Sequence, residues 1–286
     1  MENIRRAIER AKAQDPAAMS PRIRVSRYVE PSWEVPPQQQ AEDLDSVAYR
    51  DQGRRMREAQ LDGALLKSKR IIAHDIKNPL TRPYDMLRTQ ILQSMNAKNQ
   101  KILAVTSPTP SCGKTVTAIN LALSISRQTE RSVLLVDLDL LKPRIGSYLG
   151  LKSNLGVKSV LEGRSKLAGA IVHARINEQR LMILPATSMA GSGELMASRA
   201  MGIMFHDLKQ EFSSDIIIVD LPPILSTDDV ITVLPQIDCV ILVVAVGHSK
   251  ISDIVESNRH LQSSEVLRIV VNKVPESDMP HYYGHY

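Results

Sequence analysis

The sequence predicts an α/β domain with a doubly wound, mostly parallel sheet, preceded by a helical or disordered N-terminal extension. Three observations carry that reading. Six apolar runs after residue 100 are near-continuously hydrophobic, as strands buried on both faces are. Helical stretches lie between several of these runs, an alternation that gives parallel strands joined by right-handed crossovers. A loop ending in Gly-Lys-Thr sits between the first run and the helix after it.

The 286 residues fit one α/β domain with an extension better than two full domains. Hydrophobic residues make up 43% and charged residues 23%, as in ordinary globular proteins, while aromatics are only 3%, so aliphatic side chains and Met must build the core. The formal charge of +5 is modest and suits an acidic partner or an anionic surface more than nucleic acid, so no nucleic-acid partner is expected. Two cysteines, Cys112 and Cys239, make neither a disulfide framework nor a zinc site. No secretory signal is legible, and the run around "CVILVVAV" is too short to span a bilayer. These features imply a reducing cytoplasm, with any membrane contact made through a partner or a surface helix.

Residues 1–14 carry a helical stripe of Ile4, Ala7, Ile8 and Ala11 amid basic and acidic side chains, suited to packing on the domain or docking on a partner. Residues 15–53 read as a linker, rich in Pro and Gln without a sustained period. The domain is expected over 54–274, opening with a helical stretch around 54–66. In "RPYDMLRTQILQSM", Leu87, Ile91 and Met95 share one helical face and Pro83 suits the first turn. "KILAVT", "SVLLVD", "RLMILPA", "DIIIVD", "DCVILVVAV" and "VLRIVVN" are the expected strands, with helices over 114–128, 194–212 and 250–262. No internal repeat is visible. The last segment, 275–286, is a tail holding Tyr282, Tyr283 and Tyr286.

The chemistry concentrates in "TSPTPSCGKTVT". A phosphate loop works because backbone amides cradle phosphate oxygens while the next helix aims its N-terminus at them. Gly113, Lys114 and Thr115 supply the end of such a loop in its proper strand-to-helix context. Lys114 is placed to neutralise β- and γ-phosphate oxygens, and the Thr115 hydroxyl to ligate Mg²⁺. Pro108 stands where the first glycine is usual. If Ser111 adopts a left-handed conformation, the cost relative to Gly is roughly 1–2 kcal/mol, which weakens binding without abolishing it. Cys112 beside Lys114 at a helix N-terminus is either an inert small residue or a redox-sensitive thiol. Asp137 and Asp139 end one expected strand and Asp220 another, where Mg²⁺ and an activated nucleophile need anionic partners.

These segments together resemble the Walker A, A′ and B motifs of bacterial tyrosine kinases, the P-loop autokinases of capsule and exopolysaccharide export, relatives of the MinD/ParA ATPases. The resemblance runs from about residue 70 to 274 and includes "RIIAHD", "YDMLRTQIL" and "INLALSISRQ". It implies ATP phosphates at Pro108, Thr109, Pro110, Ser111, Cys112, Gly113, Lys114 and Thr115, with Mg²⁺ at Thr115. It implies a catalytic or metal-linked role for Asp137, a supporting one for Asp139, and the Walker B position for Asp220, a metal-side carboxylate. Asn272 falls where related ATPases contact adenine, though a strand-end Asn satisfying local backbone fits equally. Tyr282, Tyr283 and Tyr286 match the family's phosphoacceptor tail. The family also implies a membrane co-polymerase or chain-length regulator as partner, a homo-oligomer, and a peripheral position at the inner membrane.

Departures from the family are specific. Ser111-Cys112 replaces Gly-Glu, and Leu141-Lys142 replaces an arginine pair. The oligomer helix, usually Glu-x-x-Arg-x-x-Arg, reads Arg82, Asp85 and Arg88, reversing the first two charges. Two functions follow: a tyrosine autokinase of polysaccharide export, or a MinD/ParA-like ATPase switch of the same machinery.

Overall fold

A computed structural model describes residues 57–128, 132–188, 192–212 and 216–275. The expected N-terminal helix, the linker and the tail tyrosines Tyr282, Tyr283 and Tyr286 lie outside them.

The described residues form an eight-stranded sheet in the order β1-β4-β5-β3-β6-β2-β7-β8. The strands are β1 Arg57–Gln60, β2 Ile102–Thr106, β3 Val133–Asp137, β4 Val172–Ile176, β5 Gln179–Leu184, β6 Ile216–Asp220, β7 Cys239–Ala245 and β8 Val266–Asn272. Every neighbouring pair is parallel except β4 and β5, which run antiparallel. All six expected strands are present.

The main helices are α1 Gly63–Ser68, α2 Arg82–Ala97 and α3 Lys114–Ser126. Short helices α4 Ile145–Tyr148, α5 Val157–Leu161, α6 Leu167–Ala170 and α7 Ser192–Met196 precede α8 Arg199–Glu211, α9 Asp229–Val233 and α10 Ile251–His260. In α2, Pro83 occupies the first turn, and Ile91, Leu92 and Met95 are buried. The proline costs nothing there, because the first-turn N–H groups have no intrahelical acceptor.

The central strands are buried on both faces, which is why their sequences run apolar without alternation. In β2, Leu103 and Val105 join the core beneath α2 and α3, while Ile102 and Ala104 join the opposite core with Phe205 and Met201 of α8. Successive side chains of a strand point to opposite faces, so one strand serves both cores.

Three elements differ from expectation. The stretch expected as helix around 54–66 is instead strand β1, followed by α1 only from Gly63. "REAQ" has no strand signal of its own; its pairing along β4 decides its conformation. The helix expected over 194–212 is divided, because Ser198 is extended and its side chain accepts from Met201 N to start α8. Strand β4 was not expected from the sequence, although its alternating burial is that of a half-covered strand near the sheet edge.

Candidate active site

The phosphate loop leaves β2 at the centre of the sheet and enters α3, which buries nearly all of its length. Its first half is fixed by the segment after β6. Ile224 N donates to Ser107 O at 2.9 Å, Leu225 N to Pro108 O at 3.2 Å, and Thr106 Oγ1 to Pro222 O at 2.7 Å. Ser111 is exposed and does adopt the left-handed conformation, with φ 66°. Gly113 follows at φ 95° as the N-cap of α3. A Cβ on Gly113 would lie 2.1 Å from Asn272 Nδ2, so both its backbone angle and its surroundings require glycine.

Four side chains converge behind the loop. Lys114 Nζ lies 2.9 Å from Asp139 Oδ2 and 3.3 Å from Asp220 Oδ1. Thr115 Oγ1 donates to Asp220 Oδ2 at 2.6 Å. Asp137 and Asp220 are direct neighbours across the β3–β6 ladder, and both are fully buried. Asp139 lies two residues past Asp137, the last residue of β3, and its carboxylate reaches Lys114. Leu138 N donates to Asp220 O at 2.9 Å, which continues the β3–β6 pairing one residue past the end of β3.

Asp137 accepts three backbone N–H groups: Asp139 N on Oδ1 at 3.2 Å, and Arg144 N and Ile145 N on Oδ2, each at 3.1 Å. It thereby caps the start of α4, a role no sequence motif announced. Burial nevertheless pushes the Asp137 carboxyl well above the usual carboxylate range, and Asp220 beside it pushes further. Asp220 is raised too, chiefly by burial, with Lys114 pulling the other way. For Lys114, burial lowers the ammonium, but Asp220 and then Asp139 outweigh it and leave it raised.

Three buried carboxylates therefore face one ammonium, an excess of negative charge that suits a divalent cation. Among the described residues no three His, Cys, Asp or Glu side chains converge as a complete metal cage. That donor set fits Mg²⁺, which is commonly held by one or two protein groups with waters and substrate phosphates. Thr115 and Asp220 are the residues placed to hold it, and the loop amides at the N-terminus of α3 are placed for phosphates.

Asn272, the residue expected near adenine, has its amide engaged in backbone bonds. Nδ2 donates to Cys112 O at 2.9 Å and Oδ1 accepts from Lys273 N at 2.8 Å, the local-backbone alternative. Cys112 is fully buried, its thiol 3.2 Å from Thr109 O, which favours the inert reading over the redox one.

Two further residues support this framework, of which Asn120 escaped the sequence reading and Asp85 was noted there only for its reversed charge. Asn120 of α3 accepts from Ile72 N and Ala73 N and donates to Arg70 O and Val116 O, tying "RIIAHD" to the helix. Asp85 accepts from Arg88, Ser124 and, through a short contact, Arg127. Its charge is thus used within the chain.

Residues 100–265 match the family model described as an AAA domain. Tyrosine-protein kinase YwqD of Bacillus subtilis is 27% identical over 227 residues, covering 78% of this chain and 94% of the relative. Tyrosine-protein kinase CpsD of Streptococcus agalactiae serotype Ia is 30% identical over 198 residues, covering 68% and 82%. Putative tyrosine-protein kinase EpsB of Ralstonia solanacearum is 25% identical over 233 residues, but the match spans only 30% of that longer protein. Among solved structures, the VpsO kinase domain superposes with a TM-score of 0.61 at 28% identity, covering 69% of this chain and 96% of that one. The Escherichia coli ETK kinase domain, at 23% identity and TM-score 0.63, shares the fold. By the family model over more than half of its length and by its likeness to CpsD, the chain belongs to the AAA-domain P-loop family and, within it, to the bacterial tyrosine-protein kinases.

Proposed function

We propose that the chain is an ATP-dependent protein-tyrosine autokinase that regulates capsule or exopolysaccharide polymerisation and export. The observation that carries this reading is the buried group of Lys114, Thr115, Asp139 and Asp220 behind the loop. Relatives named as tyrosine kinases add the substrate class.

Lys114 exchanges its carboxylate partners for phosphate oxygens when a nucleotide enters, which keeps an ammonium at the transferring group without a new desolvation cost. Mg²⁺, held by Thr115 and Asp220, would neutralise phosphate charge. In its ionised form Asp137, whose raised proton affinity makes it a stronger base than an ordinary carboxylate, is the proposed acceptor of the attacking tyrosine's proton. Tyr282, Tyr283 and Tyr286 of a neighbouring subunit are the proposed acceptors, because a terminal segment can reach a second copy. We place the protein in the cytoplasm, at the inner membrane through a co-polymerase partner. No helix among the described residues is long and apolar enough to cross a bilayer.

A second reading, an ATPase switch without tyrosine chemistry, is favoured by one observation. Asp85 is paired with Arg88 and Arg127, so its charge is used within its own domain rather than offered to a second subunit. Incubation with labelled ATP and Mg²⁺, with and without the partner's cytoplasmic segment, separates the two. Label on the tail tyrosines that is lost with Lys114→Met supports the kinase, whereas phosphate release without labelled protein selects the switch.

A further inference from the structure

The phosphate loop carries an exposed serine at φ 66° where a glycine would sit without strain. Such a conformation persists only where the surroundings over-determine it, and the surroundings here come from the ends of β7 and β8.

The chain turns sharply after β7 at Gly247, φ 71°, with His248 N and Ser249 N both donating to Ala245 O. That turn places His248 Nε2 2.9 Å from Pro110 O. A carbonyl can only accept, so His248 carries the proton on Nε2 in this contact. Ser249 Oγ accepts from Ala245 N at 3.0 Å and lies 3.4 Å from Cys112 Sγ. From the next strand, Asn272 Nδ2 donates to Cys112 O at 2.9 Å. The two strand ends act as one body, because Ala245 pairs with Asn272 in register and Val246 N donates to Asn272 O. The residues on either side of Ser111 are thus held from outside the loop.

We propose that His248, Ser249 and Asn272 are positioning residues that clamp Pro110 and Cys112 and so impose the left-handed conformation of Ser111 on the phosphate loop. None of them needs to touch the nucleotide for this. The clamp supplies from the sheet edge what a glycine at position 111 would supply from the loop itself. The inference deepens the nucleotide reading of the same site and rests on it for its functional meaning, but its physical test does not need nucleotide.

Cys112 is the probe, since the clamp and the loop bury its thiol. Labelling of the full chain with N-ethylmaleimide, resolved by peptide mass spectrometry, follows Cys112 against Cys239, which is fully buried at the start of β7 and reports global unfolding. Asn272→Ala and His248→Ala are each expected to speed Cys112 labelling about two- to tenfold, the worth of a lost hydrogen bond, with Cys239 unchanged. Adding Ser111→Gly to either variant is expected to return the rate to the wild-type level or below. Relief of left-handed strain is worth about five- to thirty-fold. Affinity for a fluorescent ATP analogue should fall and recover in the same order. Unchanged Cys112 labelling in the clamp variants, or no recovery with Ser111→Gly, overturns the clamp. Labelling that follows the expected pattern while the wild type shows no ATP affinity upholds the clamp and overturns the nucleotide reading instead.

Discussion

Lys114 Nζ stands 2.9 Å from Asp139 Oδ2, with both side chains about nine-tenths buried at 10% and 9% exposure. The pair shares its ammonium with Asp220, so the lysine is the counter-ion of the site before any phosphate arrives. Lys114→Met should therefore do two separable kinds of damage. It should abolish autophosphorylation, and it should destabilise the domain by about 3–5 kcal/mol, the cost of leaving a buried charge uncompensated. Adding Asp139→Asn should restore part of the stability and none of the activity. Urea melts and a phosphotyrosine blot check both, and equal stability of the single and double variants would contradict the charge argument.

The raised carboxyls give the apoprotein a pH dependence of defined sign. An acid whose pKa rises on folding keeps its proton in the native state after the unfolded chain has lost it. The stability from Asp137 and Asp220 is therefore complete below their ordinary 3.8 and drains away as pH climbs through the raised native values. In the absence of nucleotide, these groups make Tm fall as pH rises from about 4 toward neutrality. Asp137→Asn should flatten that slope by removing one titrating group and relieving the other. Parallel Tm–pH curves for the two proteins would refute it.

Asp85 accepts from two guanidinium groups and the Ser124 hydroxyl, and Arg88 and Arg127 are largely covered. Asp85→Ala should cost about 1–3 kcal/mol. Asp85→Arg, which restores the family's charge at that position, should cost more because three guanidinium groups would then crowd one another. Chemical denaturation ranks the three proteins, and an Asp85→Arg variant as stable as wild type would mean that the network is dispensable.

Asn120 satisfies four backbone groups at once, two N–H and two C=O. Asn120→Ala leaves several of them buried without partners and should lower stability by about 3 kcal/mol. Hydrogen exchange should localise the loss, with the amides of Ile72 and Ala73 losing protection before those of β2.

Most of the buried cluster behind the loop was legible in the sequence, for a physical reason. Lys114, Thr115, Asp137 and Asp220 act from fixed offsets at the ends of buried strands, and long apolar runs announce those strands. The strain at Ser111 could be named because a glycine is usual there. What stayed hidden depends on the return of distant chain. Asp137's capping of α4 uses backbone amides, which carry no residue signature. His248 and Ser249 meet the loop across more than 130 residues of sequence. Strands β1 and β4 lack an apolar run because they lie toward one edge, and Asn120 reads simply as a polar residue in a helix.

The strand order divides the sheet into two unequal territories. The loop, the carboxylates and the clamp all come from the contiguous strands β3, β6, β2, β7 and β8, while β1, β4 and β5 contribute none of them. Because β5 runs parallel to β3, the β4–β5 turn at Asn177 lies at the end of the sheet away from Asp137. That turn is a natural handle. A dye, an affinity tag or a surface tether attached there would report on assembly or immobilise the protein while leaving the reactive end of the sheet untouched.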